Sequence, residues 1–135
     1  EVLQGAIQAN LLATIRLVRP AVGTMRERGW GRIVCMTSNA VKQPIPTIAA
    51  SNVARTGLWA WAKTAAQDLV ADGVTLNLVC PGLHATDRVR ELGFEGRLGD
   101  PEDFGRVVAF LCSEHAGFVS GAAISVDGAA TVGLL

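Results

Sequence analysis

Two short apolar runs, IVCM at 33–36 and VTLNLV at 74–79, stand on either side of a single helix-length stretch. Neither run is long enough for a helix. The first shows no polar alternation, so it suits a strand covered on both faces, the kind found in parallel sheets. Parallel neighbours cannot be joined by a hairpin and need a crossover. Residues 49–70 supply one, placing Val53, Gly57, Leu58, Trp61, Ala65 and Leu69 on one helical face. Ser51, Arg55, Trp59 and Lys63 run down a second face at intervals of four. Between the first strand and this helix, residues 43–47 carry two prolines, which cannot continue a ladder.

The rest of the chain repeats the pattern. Apolar residues at 3, 7, 11, 15, 18, 22 and 25 predict a helix spanning 3–28, kinked where Pro20 removes a backbone donor. Asn10 falls on its buried side, and a buried amide needs partners. Gly29 and Gly31 turn the chain into the first strand. After the second strand comes a Pro81–Gly82 step, and in a parallel sheet ligands gather beyond the carboxyl ends of the strands. Residues 88–99 are charged and glycine-rich and predict a mobile loop with one short helix. Asp100, Pro101, Glu102 and Asp103 start a helix that runs to about residue 112. A third strand occupies 122–126 and ends at Asp127 and Gly128. Three strands alternating with helices predict one domain over 1–135, a Rossmann-like α/β fold that forms the C-terminal half of a doubly wound parallel sheet.

Composition excludes several classes. Twelve basic and twelve acidic residues cancel and are scattered, which leaves no footprint for nucleic acid or an acidic membrane. A mean hydropathy of +0.34 is high for a chain that covers itself, so apolar surface is expected to meet a partner. Cys35, Cys80 and Cys112 sit in apolar runs without metal-ligand spacing and read as buried thiols in a reducing, cytoplasmic setting. No apolar stretch approaches a membrane span, and no leader pattern is visible. The chain begins at Glu1 within a helical pattern and is expected to continue a longer protein. Two histidines are set aside: His84 as a loop side chain without a carboxylate or thiol at useful spacing, and His115 as a partner of the last helix's C-terminus.

Several of these features together resemble the short-chain dehydrogenase/reductase family, of the classical 3-oxoacyl-ACP-reductase-like type. They are a serine after the first strand (Ser38), the segment NLVCPGLHATD at 77–87, RLGDPED at 97–103 and SGAAISVDG at 120–128. The resemblance spans the whole chain. The family places a tyrosine thirteen residues after the serine and a lysine four further on, and those positions hold Ser51 and Arg55. Its glycine-rich pyrophosphate turn has no match in these residues.

The resemblance implies hydride transfer between NAD or NADP and a small carbonyl or alcohol substrate, with no metal. It implies roles for Asn10, Ser38, Ser51 and Arg55 around the reacting carbon. It implies nicotinamide contacts from Arg55, Pro81, Gly82, Leu83 and Thr86, a substrate cover at 88–99, and a homodimer or homotetramer assembled through helices 3–28 and 49–70. For Trp59 two readings stand, a subunit contact or a wall of the ligand site. A serine alcohol is a far weaker acid than a phenol, and a guanidinium is no proton relay. The chain therefore reads either as an oxidoreductase of altered mechanism or as a silent subunit that binds cofactor or builds an oligomer.

Overall fold

Strand β2 (Val74–Pro81) runs through the middle of a three-stranded parallel sheet, with β1 (Gly31–Met36) on one side and β3 (Ala123–Val126) on the other. The computed structural model describes residues 1–134. Every β2 residue from 74 to 80 is buried, as a central strand covered on both faces requires. Two of them are polar, Thr75 at 2% exposure and, at 0%, Asn77. Its Nδ2 donates to the Val119 carbonyl at 2.7 Å, and its Oδ1 accepts from the Ala122 N–H at 3.1 Å. The paired register with β3 starts only at Leu78 and Ala123, so the amide extends the ladder back towards the start of β2.

Two layers cover the sheet. On one face α3 (Ala49–Leu69) and α2 (Ala13–Arg28) pack Leu58, Ala62, Ala66, Val18 and Val22 against Ile33, Cys35, Leu76 and Leu78. On the other, α5 (Pro101–Leu111) brings Phe104, Val107 and Leu111 against Val34, Val79 and Ile124. Asp100 caps α5 as its sequence predicts, accepting from the Glu102 N–H at 2.9 Å. The outcome is the α/β architecture expected from alternating strand and helix signals. Among the described residues, no helix is long and apolar enough to cross a membrane.

Both helix-to-strand turns end on left-handed glycines, Gly29 (φ 62°) and Gly73 (φ 71°). The two turns touch. A Cβ on Gly73 would collide with the Gly29 carbonyl oxygen, and the Gly73 carbonyl accepts from the Gly31 N–H at 3.4 Å. Arg26 reinforces this end by pairing with Asp68 at 2.6 Å and Asp72 at 2.8 Å.

Four details differ from the sequence reading. The first helix runs through Pro20, and its irregularity lies earlier: α1 (Val2–Ile7) passes into a π turn (Gln8–Leu12) before α2, with the Ala13 N–H reaching back to Gln8. The buried stripe of α3 is Ala54, Leu58, Ala62, Ala66 and Leu69, which leaves Val53 56% exposed. Small alanines face the sheet there because they let the helix approach closely, a choice that a search for large apolar side chains overlooks. β1 is covered well on one face only, through Ile33 and Cys35, and Met36 is 67% exposed, because on the other face only Val34 of β1 meets the α5 cluster. Cys112 is exposed at the C-cap of α5, and His115 lies beyond that helix in a separate 3-10 turn (Glu114–Ala116).

Candidate active site

The carboxyl ends of all three strands open into one cleft of about 830 Å³, within the usual range for small-molecule sites. Each wall comes from a different element. Thr37, Ser38 and Asn39 follow β1; Pro81 ends β2 and Gly82, Leu83 and His84 follow it; Val126 ends β3 and Asp127 and Gly128 follow it. Arg55 enters from α3, and Phe94, Arg97 and Leu98 close the side opposite from the loop after α4 (Asp87–Glu91).

Arg55 is the best-anchored polar group here. Its Nε donates to Ser51 Oγ at 3.0 Å and its Nη1 donates to the Thr37 carbonyl at 3.1 Å. The fork thereby ties the second turn of α3 to the end of β1, beside Ser38. Nη2 has no protein partner among the described residues. Ser38 starts a 3-10 turn (Asn39–Val41), where its Oγ accepts from the Ala40 N–H at 3.1 Å and lies 3.4 Å from Asn39 Oδ1. Both residues line the cleft.

The remaining expected residues divide. Pro81, Gly82 and Leu83 line the cleft, whereas Thr86 is exposed and caps α4, its hydroxyl accepting from the Val89 N–H at 3.4 Å. Ser51 meets the cleft only through Arg55. Asn10 is half-buried in the π turn, where its Nδ2 donates to the Ala6 carbonyl at 3.2 Å, a local bond of the kind a widened turn leaves room for. Trp59 is half-buried, packs against the core below α3, and has the Lys42 ammonium 6.0 Å from its ring centroid. Lys42 does not line the cleft.

Three groups escaped the sequence reading. His84 lines the cleft, with Nδ1 3.1 Å from the Gly82 carbonyl. Asp127 folds the chain after β3 into a tight turn. Its carboxylate accepts from the Thr131 hydroxyl at 2.6 Å and from the Thr131 and Ala129 N–H groups at 3.0 and 3.1 Å, which holds it below the usual carboxylate range. Gln43 Oε1 accepts from the Val132 N–H at 2.9 Å, joining that turn to the proline-bearing loop. A VDG ending marks the position of Asp127 but carries no signal of where its carboxylate turns.

The residues present fit a nicotinamide-type ligand. Nη2 donors and a Leu83 N–H that are both unpaired among the described residues, with the Ser38 hydroxyl, surround a lining that also presents the Pro81 ring and Ile45. Gly82 also lets the β2 end approach the turn after β3, because a Cβ there would lie 2.8 Å from the Asp127 Cα.

Comparisons with known proteins agree with this architecture. The acetoacetyl-CoA reductase of Rhizobium meliloti is 36% identical over 135 residues, covering 90% of this chain and 56% of that protein. Dehydrogenase/reductase SDR family member 4 of Bos taurus is 33% identical over 141 residues, covering 95% and 50%. The crystal structure of acetoin dehydrogenase from Enterobacter cloacae superposes with a TM-score of 0.85 at 26% identity, covering 94% of this chain and 54% of that one. The chain thus spans about half the length of the curated relatives it matches. Residues 1–131 also match the family model described as enoyl-(acyl carrier protein) reductase, and with it the chain belongs to the short-chain dehydrogenase/reductase family of oxidoreductases.

Proposed function

We propose that these residues form the substrate and nicotinamide side of an NAD(P)-dependent oxidoreductase acting on a small carbonyl or alcohol, with an altered proton path. The observation that carries this reading is the Arg55 fork, held by Ser51 and Thr37 so that its remaining donors stay at the cleft beside Ser38. A bound nicotinamide would supply the hydride. Ser38 hydrogen-bonds the substrate oxygen. Arg55 stabilises the negative charge that develops there and holds the cofactor ribose, and it does so without giving up its proton. Proton exchange passes to water in the open cleft, since Ser51 donates no proton near neutrality. Pro81, Gly82 and Leu83 place the nicotinamide amide, Thr86 fixes the loop that follows, and Asn10 orders water near Arg55. Assembly through the 3–28 and 49–70 helices, in a reducing cytoplasm, completes the reading.

The test is turnover by the intact protein with NADH and NADPH on a panel of ketones and alcohols. Arg55→Met should lower kcat/KM at least a hundredfold while circular dichroism shows an unchanged fold, the range expected for one preorganised charge-stabilising group. No turnover across the panel would sink the reading. It would favour a silent subunit, which the commitment of two Arg55 donors to protein acceptors also supports.

A further inference from the structure

The loop after α4 reaches the cleft through one short seam. Gly99 donates to the Leu83 carbonyl at 3.0 Å, Ala85 donates to the Gly99 carbonyl at 2.9 Å, and these bonds form an isolated parallel bridge between His84 and Gly99. His84 sits at the middle of this seam and contacts everything that meets there. Its Nδ1 lies 3.1 Å from the Gly82 carbonyl, an acceptor, which assigns the proton to Nδ1. Its ring lies edge-to-face on Phe104 of α5, with centroids 5.2 Å apart. Its Cδ2 and Nε2 occupy the space beside Gly99, where a Cβ would fall 2.8 and 2.9 Å away. Residues 92–97 are otherwise exposed, and no side chain among them is hydrogen-bonded within the described residues.

We propose that His84 is a positioning residue that latches the 92–98 segment over the cleft, fixing where Phe94, Arg97 and Leu98 meet a bound substrate. The imidazole does this through two separable contacts, a hydrogen bond to the turn after β2 and a flat ring that only a glycine at 99 accommodates. Gly99 has no left-handed backbone that would itself exclude alanine, so Gly99→Ala acts through the ring alone. The substrate part of this inference rests on the oxidoreductase reading; the latch itself does not.

Trypsin reads the latch directly, because Arg88, Arg90 and Arg97 flank and occupy the exposed segment. In the intact protein His84→Phe keeps an aromatic ring and loses the donor. It should raise the rate of cleavage at these arginines about fivefold, the shift one ordinary hydrogen bond gives to a local opening equilibrium. His84→Asn, whose amide nitrogen takes the place of Nδ1 but which lacks the ring, should give a rate between wild type and His84→Phe. Gly99→Ala should resemble His84→Phe, and should add nothing once His84→Ala has removed the ring it strikes. With ethyl acetoacetate as probe, KM should rise about fivefold in His84→Phe while kcat stays within about twofold. Cleavage of His84→Phe at the wild-type rate, or equal lability of His84→Asn and His84→Phe, overturns the latch. A raised cleavage rate with KM unmoved overturns its role in substrate binding. Absence of turnover in every variant counts against the oxidoreductase reading, and the protease result then decides the latch alone.

Discussion

Arg55 and Ser51, one helical turn apart on α3, are joined by a 3.0 Å hydrogen bond from Nε to Oγ and so behave as a unit. Replacing one without the other leaves a mismatched pair. Ser51→Tyr alone sets a phenol against a guanidinium, and Arg55→Lys alone leaves an ammonium beside a hydroxyl too short to reach a substrate. The double variant Ser51→Tyr/Arg55→Lys recreates the family's tyrosine and lysine, and it should exceed either single variant in kcat/KM by at least about tenfold. Steady-state assays on the four-member cycle measure this, and additive effects would refute the coupling.

Asn77 satisfies two backbone groups that have no other partner among the described residues, the Val119 carbonyl and the Ala122 N–H. Asn77→Leu is close in volume but strands both. The expected loss is about 2–4 kcal/mol, two buried unsatisfied groups' worth. Urea denaturation should show the midpoint falling with an unchanged slope.

Burial pushes the thiols of Cys35 and Cys80 up to about 11 each, whereas Cys112 is exposed. One thiol should therefore react with a disulfide reagent at pH 8, and all three after unfolding. Cys112→Ser should abolish the native reaction. Because the folded state holds these two protons above the ordinary value of 9.0, the stability they contribute is complete below pH 9. It declines as the unfolded thiols ionise, through the window from 9 to about 11. Replacing both by alanine should flatten that alkaline limb in a series of urea melts.

Gly73→Ala meets two penalties at once, a left-handed backbone and a collision with the Gly29 carbonyl. Gly29→Ala meets only the first, since nothing lies within 4 Å of a Cβ there. The expected costs are about 1 kcal/mol for position 29 and at least about 2 kcal/mol for position 73. Thermal unfolding distinguishes them, and equal shifts would show that the turns do not bear on one another.

The fold was legible because short strand-like runs and a capped helix leave little choice: VTLNLV, β-branched and leucine-rich, reads as a strand, and Asp100 with Pro101 has only a helix start. Which strand is covered on both faces was not legible, since the continuous run at 33–36 lies on the edge and the alternating one in the middle. Burial of α3 was misread where alanines rather than large side chains face the sheet. The π turn was missed because the extra residue preserves an apolar stripe that an ordinary helix would also give. At the site, Ser38, Arg55 and Pro81 to Leu83 were pointed to by the family resemblance, and all of them line the cleft. His84 and Asp127 could not be placed, because their partners, Gly82 O, Gly99, Phe104 and Thr131, are brought together by loops whose sequence carries no periodicity.

The contact between the turns at Gly29 and Gly73 has a consequence for how such a chain diversifies. Extra residues inserted into either turn would wedge β1 from β2 at their amino ends, so this pole tolerates almost no change in length. At the opposite pole the backbone bonds of Thr37 to Val79 and of Gly82 to Val126 close the sheet, and the loops beyond them, joined by side chains and one short seam, can lengthen or be rewritten without disturbing it. Novelty in this scaffold is channelled to one end of the molecule.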